Sequence, residues 1–320
     1  MEYFEPHFSR YHSKLNVFFT RNWLRIRYYW NKIVLRRRII PLEGCISMSW
    51  GHVEHNNWGD DINFSFLEHI SNDCILPASY IIYPYNGSCK EIRKMSHYSA
   101  IGSVLGWIDS DDVKVWGSGL IDGDAPKCIP QIYAIRGPLS REISLKNGIN
   151  CPPIYGDPAL LLPYYYRPKM LKKKYSLGIV THYVDYYKKE MDKFKENPNV
   201  QVIKLFGYKE WTDIIDQICS CELILSSSLH GLIVAEAYKV PNVWCEIREP
   251  IKGKNKNRFK FYDFFSSIGK NDVSPVLINM STSIEDTLKL IDIYRPGIYD
   301  TSELLKVCPW SLKNPKYPNI

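Results

Sequence analysis

Short apolar runs alternating with stretches of helical spacing predict an α/β protein of two domains, each built on a mainly parallel sheet. The alternation occurs twice, on either side of a Tyr/Pro/Lys-rich segment at Tyr164–Lys174 that reads, with Leu160–Pro163, as a linker. A length of 320 residues allows two separate cores, and 45% apolar with 23% charged residues is ordinary for a globular chain. The expected divisions are a basic amphipathic arm at 1–40, a first α/β domain at 41–165, a second at 166–300 and a tail at 301–320.

In the arm, nine Lys/Arg residues face only Glu2 and Glu5 and are interleaved with Trp23, Leu24, Ile26, Tyr28, Tyr29, Trp30 and Ile33. The other 32 basic and 32 acidic residues balance, so the net charge of +7 belongs to the arm alone. That argues against a nucleic-acid-binding face on the body. A cationic, aromatic-rich helix suits an anionic inner membrane leaflet, and it equally suits packing on the body with a solvated basic face. No uninterrupted apolar run reaches about 18 residues, and charges stand where a secretory signal needs its apolar core, so neither a membrane span nor export is expected. Nine scattered cysteines, the closest pair being Cys219 and Cys221, read as reduced thiols of a cytoplasmic protein.

In the first half, Cys45–Trp50 reads as a strand, followed by the polar loop Gly51–Gly59 and a helix from about Asp60 to Ile70. Ile75–Tyr83, Val113–Trp116 and Gln131–Ile135 are further strands. Pro138 opens a helix and Gly148 stops it. In the second half, Ser176–Thr181 and Val200–Leu205 read as strands, Tyr186–Glu196 and Trp211–Cys219 as helices. Glu222–Leu225 is an apolar run closed by the hydroxyls Ser226–Ser228. From Leu229 the apolar residues fall at helical spacing until Lys239, Val240 and Pro241, and Asn242–Glu246 resumes a strand. A last helix is expected near Ile284–Ile293.

Four loops at strand ends carry the candidate chemistry. In the first, Asn57, Asp60, Asp61 and Asn63 cluster at a helix start. One acid caps free N–H groups, and the remaining polar groups suit sugar hydroxyls. In the second, Gly117 and Gly119 permit close backbone approach, to a ligand or within a tight turn. In the third, Arg136 lies beside the helix opened by Pro138, where a guanidinium and free N–H groups make a site for phosphate or carboxylate, or where the arginine forms an ion pair. In the fourth, Ser226, Ser227, Ser228 and His230 sit at a strand–helix turn of the kind that binds anions at the carboxyl edge of a parallel sheet. The positive end of the helix dipole there tends to hold His230 neutral and able to accept a proton. His182 and Asp185 follow the first strand of the second half and can line a cleft. Asp157 in Gly-Asp-Pro reads more simply as a turn residue. His52 and His55 lack partners at metal spacing, so no metal is expected.

These residues resemble a known family. Ser226-Ser-Ser-Leu-His-Gly-Leu-Ile-Val-Ala-Glu-Ala-Tyr with Val240-Pro resembles the signature of bacterial polysaccharide pyruvyl transferases. Asn57-Trp-Gly-Asp-Asp-Ile-Asn, Trp116-Gly-Ser-Gly, Ala134-Ile-Arg-Gly-Pro-Leu-Ser and Gly156-Asp-Pro-Ala-Leu-Leu-Leu-Pro resemble its other blocks, in order, and Gly178-Ile-Val-Thr-His-Tyr-Val-Asp the start of its second half. The resemblance covers about residues 45–270 and leaves out the arm and the tail.

The resemblance implies two Rossmann-like domains facing a cleft, similar to the glycosyltransferase-B arrangement. It implies transfer of pyruvate from phosphoenolpyruvate to a sugar of a polysaccharide or its lipid-linked precursor, with a ketal formed and phosphate released. No cofactor beyond that donor substrate is implied. Arg136 and His230 fall on positions that bind or act on the donor, together with Ser226–Ser228. The chemistry needs a proton on the methylene carbon and two activated hydroxyls. His230, with a pKa near neutrality, is therefore expected as general acid/base, with Asp60 or Asp61 at the acceptor and Asn57, Asn63, Gly117, Gly119 and His182 along the cleft. Two rivals remain: a glycosyltransferase of the same architecture using a nucleotide sugar, and a non-catalytic sugar-binding or scaffold protein.

Overall fold

A computed structural model of the chain describes residues 45–48, 57–72, 74–77, 96–108, 110–169, 172–182, 184–247 and 258–317. The arm at 1–40, His52, His55 and the strand extensions at 49–50 and 78–83 lie outside the described residues.

Among the described residues, ten strands form two five-stranded sheets, and every pairing within them is parallel. The first sheet contains β1 (Cys45–Met48), β2 (Cys74–Pro77), β3 (Ser96–Ser99), β4 (Val113–Trp116) and β5 (Gln131–Ala134), in the order β2-β1-β3-β4-β5. The second contains β6 (Tyr175–Thr181), β7 (Val200–Lys204), β8 (Cys221–Ser226), β9 (Asn242–Glu246) and β10 (Val276–Leu277), in the order β10-β9-β8-β6-β7. Each chain path reverses direction once, between β1 and β3 in the first sheet and between β6 and β8 in the second. Open α/β sheets bind ligands beyond the carboxyl ends of the strands at such reversals.

The described helices are α1 (Trp58–Ile70), α2 (Pro138–Lys146), α3 (Leu162–Tyr165), α4 (Asp192–Lys195), α5 (Trp211–Cys219), α6 (Leu229–Ala237), α7 (Phe259–Ser267), α8 (Ile284–Lys289) and α9 (Ser302–Lys306). Helix α6 is buried along its whole length, which is why its residues are apolar all round. Pro138 stands at the first position of α2, and Gly148 follows its end with φ +74, a conformation that a side chain disfavours.

Strands β3 and β10 and helices α7 and α9 fall where the sequence reading assigned no element, and two assigned segments take another form. Tyr186–Glu196 is a turn, a 3-10 turn at Lys189–Met191 and then α4, because Asp185 is drawn to Ser227 and Lys188 is extended with ψ 144. Leu160–Tyr165 is no solvated linker. Leu160, Leu161, Leu162, Pro163 and Tyr165 are buried, and the segment packs on α6.

One apolar core runs through both halves, from Trp58, Phe66, Tyr98 and Trp116 to Ile215, Leu232, Trp244 and Phe264. Trp58 joins them at its backbone, whose N–H donates to Leu205 O at 2.8 Å, and at its indole, which donates to Trp211 O at 2.8 Å. The tail returns to the first half. Leu304 O accepts from the Trp116 indole, and Trp310 meets Tyr98 and Trp116 edge to face.

Candidate active site

The strand–helix turn after β8 is fixed by its own serines. The Ser226 hydroxyl donates to Ser228 O (2.7 Å) and Val180 O (3.2 Å) and accepts from the Ser228 N–H (3.1 Å). The Ser227 hydroxyl donates to Asp185 (2.8 Å) and accepts from the His182 N–H (3.0 Å), which locks the loop after β6 to the loop after β8. Ser228 is the extended N-cap of α6. The hydroxyls of Ser226 and Ser227 are thus engaged in shaping the turn. What the turn offers an anion is the set of first-turn N–H groups of α6.

His230 sits in that first turn, 8% exposed, and its Nε2 is buried with no hydrogen-bond partner among the described residues. The start of α1 lies directly on the ring. A Cβ added to Gly59 would fall 1.9 Å from Nδ1, so only glycine leaves room for the imidazole. The site therefore brings the start of α1, Asn57–Asp61, against the second half's Ser226–His230 turn. Burial, followed by the positive charges of Lys260, Arg136 and His182, holds the imidazole down to about 3. That agrees with a neutral ring but corrects the expected near-neutral pKa, because the desolvation and the cations around it both oppose a second proton.

The acid pair divides its work. The Asp61 carboxylate accepts from the Tyr208 hydroxyl at 2.7 Å, across the two halves, and from the Asn57 N–H at 3.3 Å. Asp60 accepts from the Asn57 amide at 2.6 Å, approaches Gly102, and is the carboxylate whose charge reaches Lys260. Of the two, Asp60 faces the cation of the site and Asp61 ties the loop down. Asn63 is buried and clamps Ile101, donating to its O at 2.6 Å and accepting from its N–H at 2.7 Å, so its role is to fix α1 on the loop after β3.

Arg136 is fully buried and engaged by the protein. Its Nε donates to Asp263 at 3.0 Å, Nη1 to the Ser103 hydroxyl at 2.5 Å, and Nη2 to Leu120 O at 2.5 Å and to Asp263 at 2.8 Å. Asp263, also fully buried, accepts in addition from the Ser140 N–H (2.8 Å) and hydroxyl (2.7 Å), capping the start of α2 from the other half of the molecule. The anion foreseen at Arg136 and the α2 N-terminus is therefore the chain's own carboxylate. Gly119 and Gly137 make this possible: added Cβ atoms would meet the Arg136 guanidinium at 2.6 Å and Asp263 O at 2.0 Å. Gly117, with φ +90, packs against Pro158 and Gly156 O, so both cleft glycines accommodate protein rather than leave space for a ligand.

Sequence reasoning missed Lys260. It lies on α7, three residues before Asp263, and its field acts on His230. Burial and Arg136 pull its ammonium down to about 8. Lys260 supplies a cation whose field reaches His230, Asp60 supplies the carboxylate whose field reaches Lys260, and α6 contributes N–H groups. Together they can hold a dianion, accept one proton and donate another. Among the described residues no cluster of three His, Cys, Asp or Glu side chains could hold a metal.

The polysaccharide pyruvyl transferase family matches residues 127–248, from the approach to β5 through β9. This stretch is similar to the polysaccharide pyruvyl transferase domain. It holds Arg136, Ser226–Ser228 and His230, whereas Asp60, Lys260 and Asp263 lie outside it. The succinoglycan biosynthesis protein ExoV of Rhizobium meliloti (strain 1021) is 27% identical over 249 residues, 74% of this chain and 69% of that protein. The uncharacterised protein L143 of Acanthamoeba polyphaga mimivirus is 28% identical over 190 residues, 57% of this chain, and the match spans 63% of L143, less than two thirds of its length.

Proposed function

We propose that the chain transfers the pyruvyl group of phosphoenolpyruvate to a sugar of a polysaccharide or its lipid-linked precursor, forming a pyruvate ketal and releasing phosphate. The observation that carries this reading is the neutral, buried His230, its Nε2 without a partner, beside the Lys260 ammonium. The polysaccharide pyruvyl transferase match and the likeness to ExoV support the reaction class.

In the reaction, an acceptor hydroxyl attacks the central carbon of the donor, the methylene carbon gains a proton, and the carbon–oxygen bond to phosphate breaks. A second hydroxyl completes the ketal. Of the two hydroxyl protons, one ends on the methyl group and the other on the phosphate. Lys260 and the first-turn N–H groups of α6 bind the donor's anionic groups. Neutral His230 accepts a hydroxyl proton, and the imidazolium so formed is a strong acid that can return it to carbon. The bound dianion offsets the field of Lys260 and Arg136 and raises the His230 pKa toward neutrality, where proton exchange in both directions is most effective. Asp60 orients the acceptor. Arg136, held by Asp263, contributes charge from behind the site.

Incubating the protein with phosphoenolpyruvate and a panel of oligosaccharides, while following phosphate release and acceptor mass, tests the reaction. The expected product is the acceptor plus one pyruvate ketal, and the His230→Ala variant releases no phosphate while remaining folded. A gain of one hexose from a nucleotide sugar, or wild-type turnover by His230→Ala, overturns the reading. The protein works at the cytoplasmic face of a membrane through residues 1–40. Among the described residues no helix is long and apolar enough to cross one. Deleting the arm should abolish sedimentation with anionic vesicles.

A further inference from the structure

Beside the site, three aromatic rings gather at the carboxyl edge of the second sheet, on the loops that follow β6 and β7. Tyr186 meets Tyr187 edge to face with centroids 5.0 Å apart, and Phe206 edge to face at 5.7 Å. Tyr187 and Phe206 lie 6.2 Å apart and only 36° from parallel. Tyr187 is 71% exposed. The cluster is nevertheless braced: Lys204 lies over the Tyr186 and Phe206 rings, and Lys195 over Tyr186.

Both loops are tied to the candidate active site at points adjacent to the rings. Asp185, two residues before Tyr187, accepts from Ser227 of the His230 turn. Tyr208, two residues after Phe206, donates to Asp61 of the acid pair. The exposed Tyr187 ring and the half-buried Phe206 ring are thus held on loops tied to both halves of the site.

We propose that Tyr187 and Phe206 form a subsite for a sugar ring of the acceptor, one residue away from the sugar that reacts. An aromatic face stacks on the C–H face of a pyranose, and the Lys195 and Lys204 rim favours an acceptor carrying a carboxylate or phosphate. This rests on the pyruvyl-transfer reading, and it adds that the acceptor is an oligosaccharide rather than a single sugar.

The test is an array of immobilised oligosaccharides probed with the full chain and with Tyr187→Ala, alongside calorimetric titration of each with phosphoenolpyruvate. Wild type is expected to retain a set of glycans of two or more residues. Tyr187→Ala loses at least tenfold in their capture while binding phosphoenolpyruvate as wild type does, and Tyr187→Trp restores capture. An array on which wild type retains no glycan, or on which wild type and Tyr187→Ala bind alike, overturns the subsite. Glycan capture lost in Tyr187→Ala without any phosphoenolpyruvate binding by wild type leaves the subsite standing and overturns the pyruvyl-transfer reading instead.

Discussion

Burial and the Arg136 guanidinium pull the Lys260 ammonium down to about 8, so its charge is present at neutral pH and is lost as pH rises through that value. If Lys260 holds the donor, kcat/KM for phosphoenolpyruvate should fall on an alkaline limb near pH 8. Lys260→Arg keeps a charge at all accessible pH values and should move that limb upward, whereas Lys260→Met should raise KM for the donor at least tenfold at pH 7. An unchanged limb in Lys260→Arg would remove the lysine from the mechanism. His230 makes a second pH prediction. Its folded pKa is depressed to about 3, while in the unfolded chain it takes up a proton near 6.5. The neutral ring therefore adds nothing to the pH dependence above about 6.5, and stability falls as pH drops from there toward 3, by a few kcal/mol in all. Asp157, raised to about 6 by burial, acts in the opposite sense over part of that window, so the effect is read as a difference. Denaturant midpoints of wild type and His230→Gln at pH 7 and pH 5 should converge as the pH is lowered.

At the scale of elements, contacts made at helix starts set the geometry. Helix α1 begins on the imidazole at Gly59, and α2 begins on Asp263 at Gly137. Gly59→Ala should displace His230 and lower kcat at least a hundredfold with little change in the far-ultraviolet circular dichroism spectrum. Asp263→Ala leaves the Arg136 charge buried and unpaired and uncaps α2, which should cost about 3–5 kcal/mol in chemical denaturation. Combining it with Arg136→Met should cost much less than the sum of the two single changes. These contacts also show what a sequence reveals. The Ser226–His230 turn was legible because strand, hydroxyls and helix are consecutive, and the bounds of α5 and α6 followed from their apolar spacing. Arg136 was legible as an anion-binding residue because Pro138 marks the helix start beside it. Its partner was not, since Asp263 lies 127 positions away. Helix α7 carries Phe261, Phe264 and Phe265 at helical spacing, with Ile268 just past its end, but that stripe marks only a core face and says nothing of what Lys260 or Asp263 meets in the other half.

At the scale of the whole molecule, the core that joins the halves predicts that they unfold together. Strand–helix alternation was enough to foresee two parallel sheets, because each β–α step is local. The three leucines of Leu160–Leu162 signal burial, but the surface they meet on α6 and the return of the tail were not legible, because both contacts join residues far apart in the chain. Leu304 and Trp310 seal the indole of Trp116 from the far end of the chain. Trp310→Ala should cost about 3–5 kcal/mol, and thermal unfolding should remain a single transition in wild type and variant alike. Two separate transitions would mean that the halves melt independently.

That shared core bears on how chains of this kind can be recombined. The stretch that matches the family opens before the last strand of one sheet and closes after the fourth strand of the other. It carries Arg136 without Asp263, and His230 without Gly59. Grafted alone into a relative, it would arrive with a buried cation seeking a carboxylate and an imidazole seeking its glycine seat. The unit of exchange is therefore the set of contacts across the two sheets, and a functional chimera has to inherit α1, α7 and the tail together with the segment between them.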